Sequence, residues 1–116
     1  MALSADAEKI IETGVAALSD KKAENIRIID ISEISVIADA LVIASGSNKK
    51  QIQAMSDETD DRLSGSGYEH YCIEGHDNAN WVLIGYNDVI FHLFDKESRE
   101  FYDLERLYRD GKLIEA

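Results

Sequence analysis

A chain of 116 residues, 45% of them hydrophobic and 30% charged, has room for one compact core and not for two, and its composition is unlike that of a disordered acidic tail. Twelve Lys and Arg against twenty-three Asp and Glu leave a net charge of -11. That field repels phosphate backbones from most directions, so direct nucleic-acid binding is not expected, and a ribonucleoprotein would be met at a basic protein component.

In chain order, Ala7, Ile10, Ile11, Gly14, Val15 and Leu18 recur at three- and four-residue steps, which predicts an amphipathic helix capped at its start by Ser4. Asn25 to Ile31, with Ile26, Ile28, Ile29 and Ile31, reads as a β-branched strand. Residues 32–39 are a mixed polar segment, and Ala40 to Ala44 is an uninterrupted apolar run, as in a central strand covered on both faces. Ser45-Gly46-Ser47-Asn48 ends it, and from Lys49 a second helix presents Ile52, Met55, Thr59 and Leu63 on one side, stopping at Gly65-Ser66-Gly67.

A short strand at Tyr68 to Ile73 would then complete a parallel crossover. Trp81 to Ile84 and Val89 to Phe94 flank Gly85-Tyr86-Asn87-Asp88 and read as a hairpin. Lys96 to Leu113 has helical spacing at Phe101, Leu104, Leu107 and Tyr108, with Asp103 available as a cap if the helix is broken. The sum is an α/β fold, residues 1–116 forming a single domain with a mixed sheet of about five strands and helices packed against it.

Chemistry is sparse. Cys72 has no disulfide partner and no neighbour at metal-ligand spacing, which fits a reducing compartment and a small buried residue. The acidic start lacks the features of a signal peptide, and no apolar run reaches membrane-spanning length, so a cytoplasmic address without membrane contact is expected. Strand-Gly46-Ser47-helix resembles a phosphate cradle, but no GxxxxGK[ST] or GxGxxG is present, and Asp57, Asp60 and Asp61 fit a solvated helix face. His70, His76 and His92 lack zinc spacing, and no serine is paired with a base. Neither an enzymatic activity nor a metal or other cofactor is expected. His92 shares a strand face with Ile90 and Phe94, so it is either a satisfied core imidazole or part of a partner-binding face, while Trp81 fits core packing and interface anchoring equally.

The segment WVLIGYNDVIFHLFDKESREFYDLERLY, Trp81 to Tyr108, resembles the most characteristic stretch of the RsfS/Iojap ribosomal silencing factors, roughly W-V-L-x-D-Y-G-D-V-V-V-H-x-F followed by R-x-F-Y-x-L-E-x-L-W. DISEISVIADALVIASGSNKKQIQAM, Asp30 to Met55, is similar to the same family's D-x-S-x-x-S-x-x-A-D-x-x-V-I-A-S-G-x-S, and Glu74-Gly75 matches its E-G before the tryptophan.

The resemblance implies a fold distantly similar to nucleotidyltransferases without their catalytic carboxylates. It implies binding to large-subunit ribosomal protein L-fourteen, a steric block to subunit joining, and a homodimer. An assembly role on the same surface is the alternative, and a nucleotidyltransferase-type enzyme a more remote one. Carried over position by position, the partner-binding residues are Asp39, Trp81, Asp88, His92, Arg99, Tyr102 and Glu105, which moves Trp81 and His92 towards the interface. Gly85 and Asn87 depart from the family's Asp and Gly, Tyr108 replaces its usual Trp, and residues 109–116 lie beyond the shared pattern.

Overall fold

The computed structural model describes residues 3–114. Helix α1 (Ala5–Asp20) begins where Ser4 Oγ accepts from the Ala7 N–H at 3.0 Å. It buries the predicted stripe of Ala7, Ile10, Ile11, Gly14 and Leu18. Strands β1 (Glu24–Asp30) and β2 (Ala40–Gly46) follow, then α2 (Lys49–Gly65), whose first turn is closed by Asn48 Oδ1 accepting from the Gln51 N–H at 2.8 Å. All seven residues of β2 are buried, because the strand lies inside the sheet with side chains packed above and below it.

The rest comprises β3 (Cys72–Glu74), β4 (Trp81–Tyr86), β5 (Val89–Asp95), α3 (Lys96–Tyr102), α4 (Leu104–Leu107) and β6 (Lys112–Ile114). Among the described residues the sheet has six strands, in the order β3-β4-β5-β2-β1-β6. Only β2 and β5 run parallel, and the other neighbours are antiparallel.

Several expectations need correction. The parallel partner of β2 is β5, not the strand after α2, and β3 is a short edge strand antiparallel to β4. The β4–β5 hairpin is tighter than expected, with a two-residue turn at Asn87-Asp88 and Asn87 at φ 40°, a conformation asparagine tolerates. The helical pattern from Lys96 breaks at Asp103, which is left-handed at φ 48° and gives α4 no side-chain cap. Part of the segment that was unreadable in sequence becomes the sixth strand, β6 against β1. Cys72 sits half-buried at the sheet edge instead of in the core.

One face of the sheet carries α1 and α2 over Val42, Val82, Ile84, Phe91 and Leu93. Tyr86 reaches through this layer, donating from its hydroxyl to Asp60 Oδ1 at 2.7 Å, and His70 Nδ1 meets the same oxygen at 2.8 Å. Asp60 is thus a tether between helix and sheet, not a freely solvated carboxylate. On the other face a smaller cluster of Ile29, Ile31, Leu41, Ile43, Ile90 and Phe94 is covered by Leu104 and Tyr108, from α4 and the turn after it.

At Gly14, α1 lies close against the sheet. A Cβ there would lie 2.2 Å from the Phe91 ring, which is fully buried and cannot swing away. An exposed helical Gly→Ala change gains about 1 kcal/mol of helix propensity, whereas overpacking a core costs about 1–3 kcal/mol. Gly14→Ala is expected to lower the denaturant midpoint; an unchanged or higher midpoint would show that α1 can move off Phe91.

Candidate partner-binding face

Along β4 the alternation of side chains sends Val82, Ile84 and Tyr86 towards the two long helices, and Trp81, Leu83 and Gly85 to the other face. On the adjacent strand Leu83 pairs with His92 and Trp81 with Phe94. The half-buried Trp81 donates from Nε1–H to His92 Nδ1 at 2.9 Å. Its ring centroid lies 5.8 Å from that of His92, 5.2 Å from Phe94 and 4.5 Å from Tyr102. Tyr102 is 48% exposed and its neighbour Phe101 79% exposed. The result is an aromatic cluster whose inner members are buried and whose outer members meet solvent.

His92 resolves as the satisfied imidazole of the two alternatives, while remaining in the cluster. It is 7% exposed, and burial pushes its pKa from the ordinary 6.5 down to about 4. A neutral ring is what the geometry requires, because Nδ1 must keep its lone pair to accept the indole proton. His92 therefore fixes the orientation of Trp81.

Arg99 and Glu105 are joined to each other. Arg99 Nε and one terminal nitrogen donate to the two Glu105 carboxylate oxygens at 3.0 and 3.1 Å, and the other terminal nitrogen donates to Ser45 Oγ at 2.8 Å. With its side chain 10% exposed, Arg99 is a clamp that bends the chain at Asp103 and holds α3 and α4 to the C-terminal end of β2. Asp39 and Asp88 lie at the other end of the hairpin, where the Asp39 N–H donates to the Asp88 carbonyl at 2.7 Å. The five residue steps of β4 separate that end from Trp81 by roughly 17 Å. The seven predicted residues thus form two groups, an aromatic end and an acidic end of one strand pair.

Sequence reasoning placed Phe94 on the face of His92 but missed Leu83 and Tyr71. Tyr71 lies over Gly85, where a Cβ would come within 2.4 Å of its ring, and it is 60% exposed. The period-two pattern Trp81-Leu83-Gly85 was the available signal. Charge is distributed unevenly along the same elements. From Leu63 to Asp95 there is no lysine or arginine, only Glu69, Glu74, Asp77, Asp88 and Asp95, and from Ile28 to Asn48 only Asp30, Glu33 and Asp39.

The Gly46-Ser47 turn is already filled. The Ser47 N–H donates to Gln51 Oε1 at 2.6 Å, Ser47 Oγ bonds the Glu24 carboxylate at 3.0 Å, and Gln51 Nε2 reaches the Lys21 and Lys22 carbonyls. A Cβ on Gly46 would press on Ile52 at 2.6 Å, so the glycine serves helix packing. A phosphate entering here would have to displace Gln51 and confront Glu24. Among the described residues, no three His, Cys, Asp or Glu are grouped to hold a metal ion, and no helix is long and apolar enough to cross a membrane.

The depressed His92 pKa has a consequence for stability. Above pH 6.5 the imidazole is neutral folded and unfolded; below it the unfolded chain takes up a proton that the folded chain refuses until about pH 4. Stability is therefore lost as pH falls through this window, by at most roughly 3 kcal/mol at ~1.4 kcal/mol per unit. His92→Gln, which keeps an acceptor for the indole, is expected to flatten the stability slope between about pH 6.5 and 5, and an unchanged slope would contradict a buried neutral imidazole.

Comparison with known proteins places this geometry among relatives. The family model described as ribosomal silencing factor during starvation matches residues 4–116. A Bacillus subtilis protein named ribosomal silencing factor RsfS is 38% identical over 108 residues, spanning 93% of this chain and 92% of that one. A crystal structure of a Bacillus halodurans protein superposes with a TM-score of 0.84 at 34% identity, covering 94% of this chain and 99% of the other. A mouse protein named mitochondrial assembly of ribosomal large subunit protein 1 is 28% identical, over 84% of this chain and 44% of its own length.

Proposed function

We propose that this chain, which belongs to the RsfS family of ribosomal silencing factors, binds large-subunit ribosomal protein L-fourteen through the face that carries Trp81 and thereby blocks joining of the small subunit. The observation that carries the reading is the Trp81 cluster. A large aromatic ring is held by a hydrogen bond and by tilted contacts with three neighbouring rings, yet left half-open on a part of the sheet that has no cations of its own. Rigid aromatic anchors lose little entropy on binding, and an acidic surround favours a basic ribosomal protein over RNA.

In this reading Trp81 and Tyr102 make the contact, His92 positions Trp81, and Arg99 with Glu105 holds α3 so that Tyr102 stays on the indole. Asp39 and Asp88 supply negative charge at the far end of the hairpin. The action is steric and has no chemical step, the site of action is the cytoplasm, and self-association into a homodimer through apolar surface is part of the same proposal. A second reading, large-subunit assembly through the same face, is favoured by the name of the mouse relative. Depletion separates the two: precursor particles of the large subunit accumulate only under the assembly reading.

The direct test is Trp81→Ala. Truncation strips His92 of its partner, so a folding loss of about 1–3 kcal/mol is expected, with a cooperative melt retained. Loss of an interface anchor costs ~2 kcal/mol or more of binding, roughly thirtyfold in Kd. Wild type should bind purified L-fourteen with an affinity that falls as salt rises, and the folded variant should bind at least thirtyfold more weakly. Wild-type affinity in the folded variant would make Trp81 a packing residue and remove the reading.

A further inference from the structure

Beside Trp81 the chain makes a sharp turn at Gly75, at φ 80°, where any Cβ would collide with the Trp81 carbonyl oxygen at 2.1 Å. This contact brings the start of the 75–80 loop hard against β4. Glu74 stands directly opposite Leu83 in the β3–β4 register, so its side chain leaves the sheet on the face of Leu83 and Trp81. Between them is a hollow of about 280 Å³ lined by Glu74, Gly75, Trp81 and Leu83. Its walls are an indole and a leucine, and its rim is a carboxylate.

Glu74 is exposed, and no lysine or arginine of the described residues forms an ion pair with it. The flanking sequence explains why: the nearest basic residues along the chain are Arg62 and Lys96, and both are engaged, Arg62 with Asp20 and Glu58, Lys96 with Glu24. An apolar slot with an aromatic wall and one unpaired carboxylate suits a long side chain that is apolar along its stem and cationic at its tip. Arginine fits best, because its planar guanidinium can stack on the indole while donating to the carboxylate.

We propose that this hollow is a socket for one basic side chain of the partner, an arginine or failing that a lysine, with Glu74 as the charge that receives it. The inference rests on the docking function proposed above and adds to it a residue and a recognition chemistry. Leu83 forms the floor, Trp81 the stacking wall, and Gly75 sets the position of the carboxylate. Binding through the socket pairs one carboxylate with one cation, and so makes a distinct share of the salt dependence.

The test uses the full chain and purified L-fourteen. Glu74→Gln preserves shape on an exposed side chain and removes only the charge. It should weaken binding about tenfold at low salt and flatten the dependence of affinity on ionic strength, whereas Glu74→Asp should recover part of the loss. Replacing the partner's arginines and lysines one at a time should identify one whose loss adds nothing further to Glu74→Gln. If Glu74→Gln binds within twofold of wild type with the same salt dependence while Trp81→Ala is defective, the socket is overturned and the docking face stands. If wild type itself does not bind L-fourteen, both are overturned.

Discussion

A sheet has two faces to cover, and the described helices are shared unequally between them. Helices of 16 and 17 residues lie on one side. On the other, the described residues supply only α3 and α4, of 7 and 4 residues. These short helices would not persist alone, since isolated helices below about 12–15 residues are marginal in water. They are held by the bidentate Arg99–Glu105 pair and by Arg99 on Ser45, over the C-terminal ends of β2 and β5. On that side of β4, Trp81 and Leu83 stay half-buried, while Tyr71 and Tyr102, which lie against Gly85 and the indole, stay exposed.

Stability and function meet in the same few side chains. Burying His92 as a neutral ring is tolerable because Trp81 donates to it, and the half-buried indole is in turn held in one orientation by His92, Phe94 and Tyr102, as the proposed anchoring role requires. The clamp on α3 matters at a distance, since it holds Tyr102 against the indole. The long-range field matters for a different reason. Cations are absent from two stretches of chain that supply β2 to β5, a charge distribution that on the proposed reading would draw a basic partner towards the face of Trp81.

The strongly periodic segments were legible in sequence because one physical rule governed each. Ser4 capping and the Ala7 to Leu18 stripe specify α1, and an unbroken apolar run specifies the buried β2. The strand order was not legible. Nothing local in Tyr68 to Ile73 distinguishes a parallel partner of β2 from an edge strand of β4, because that choice is made by long-range packing. The sixth strand is three residues long and depends on β1 for its pairing. At the candidate site, residue types and family resemblance picked out Trp81, His92 and Tyr102, which do cluster. They did not reveal that Arg99 and Glu105 would bind each other, because i to i+6 spacing brings side chains together only when the helix breaks, as it does at Asp103.

On the proposed function, the face of the sheet that carries Trp81 docks on the large ribosomal subunit and keeps the small one away. Sedimentation of the chain with separated subunits, followed by addition of the complementary subunit, tests it most directly. The chain is expected to travel with the large subunit alone, and the joined particle to diminish in proportion to the large subunit so occupied. Migration with the small subunit, or with joined particles formed at undiminished yield, would contradict it.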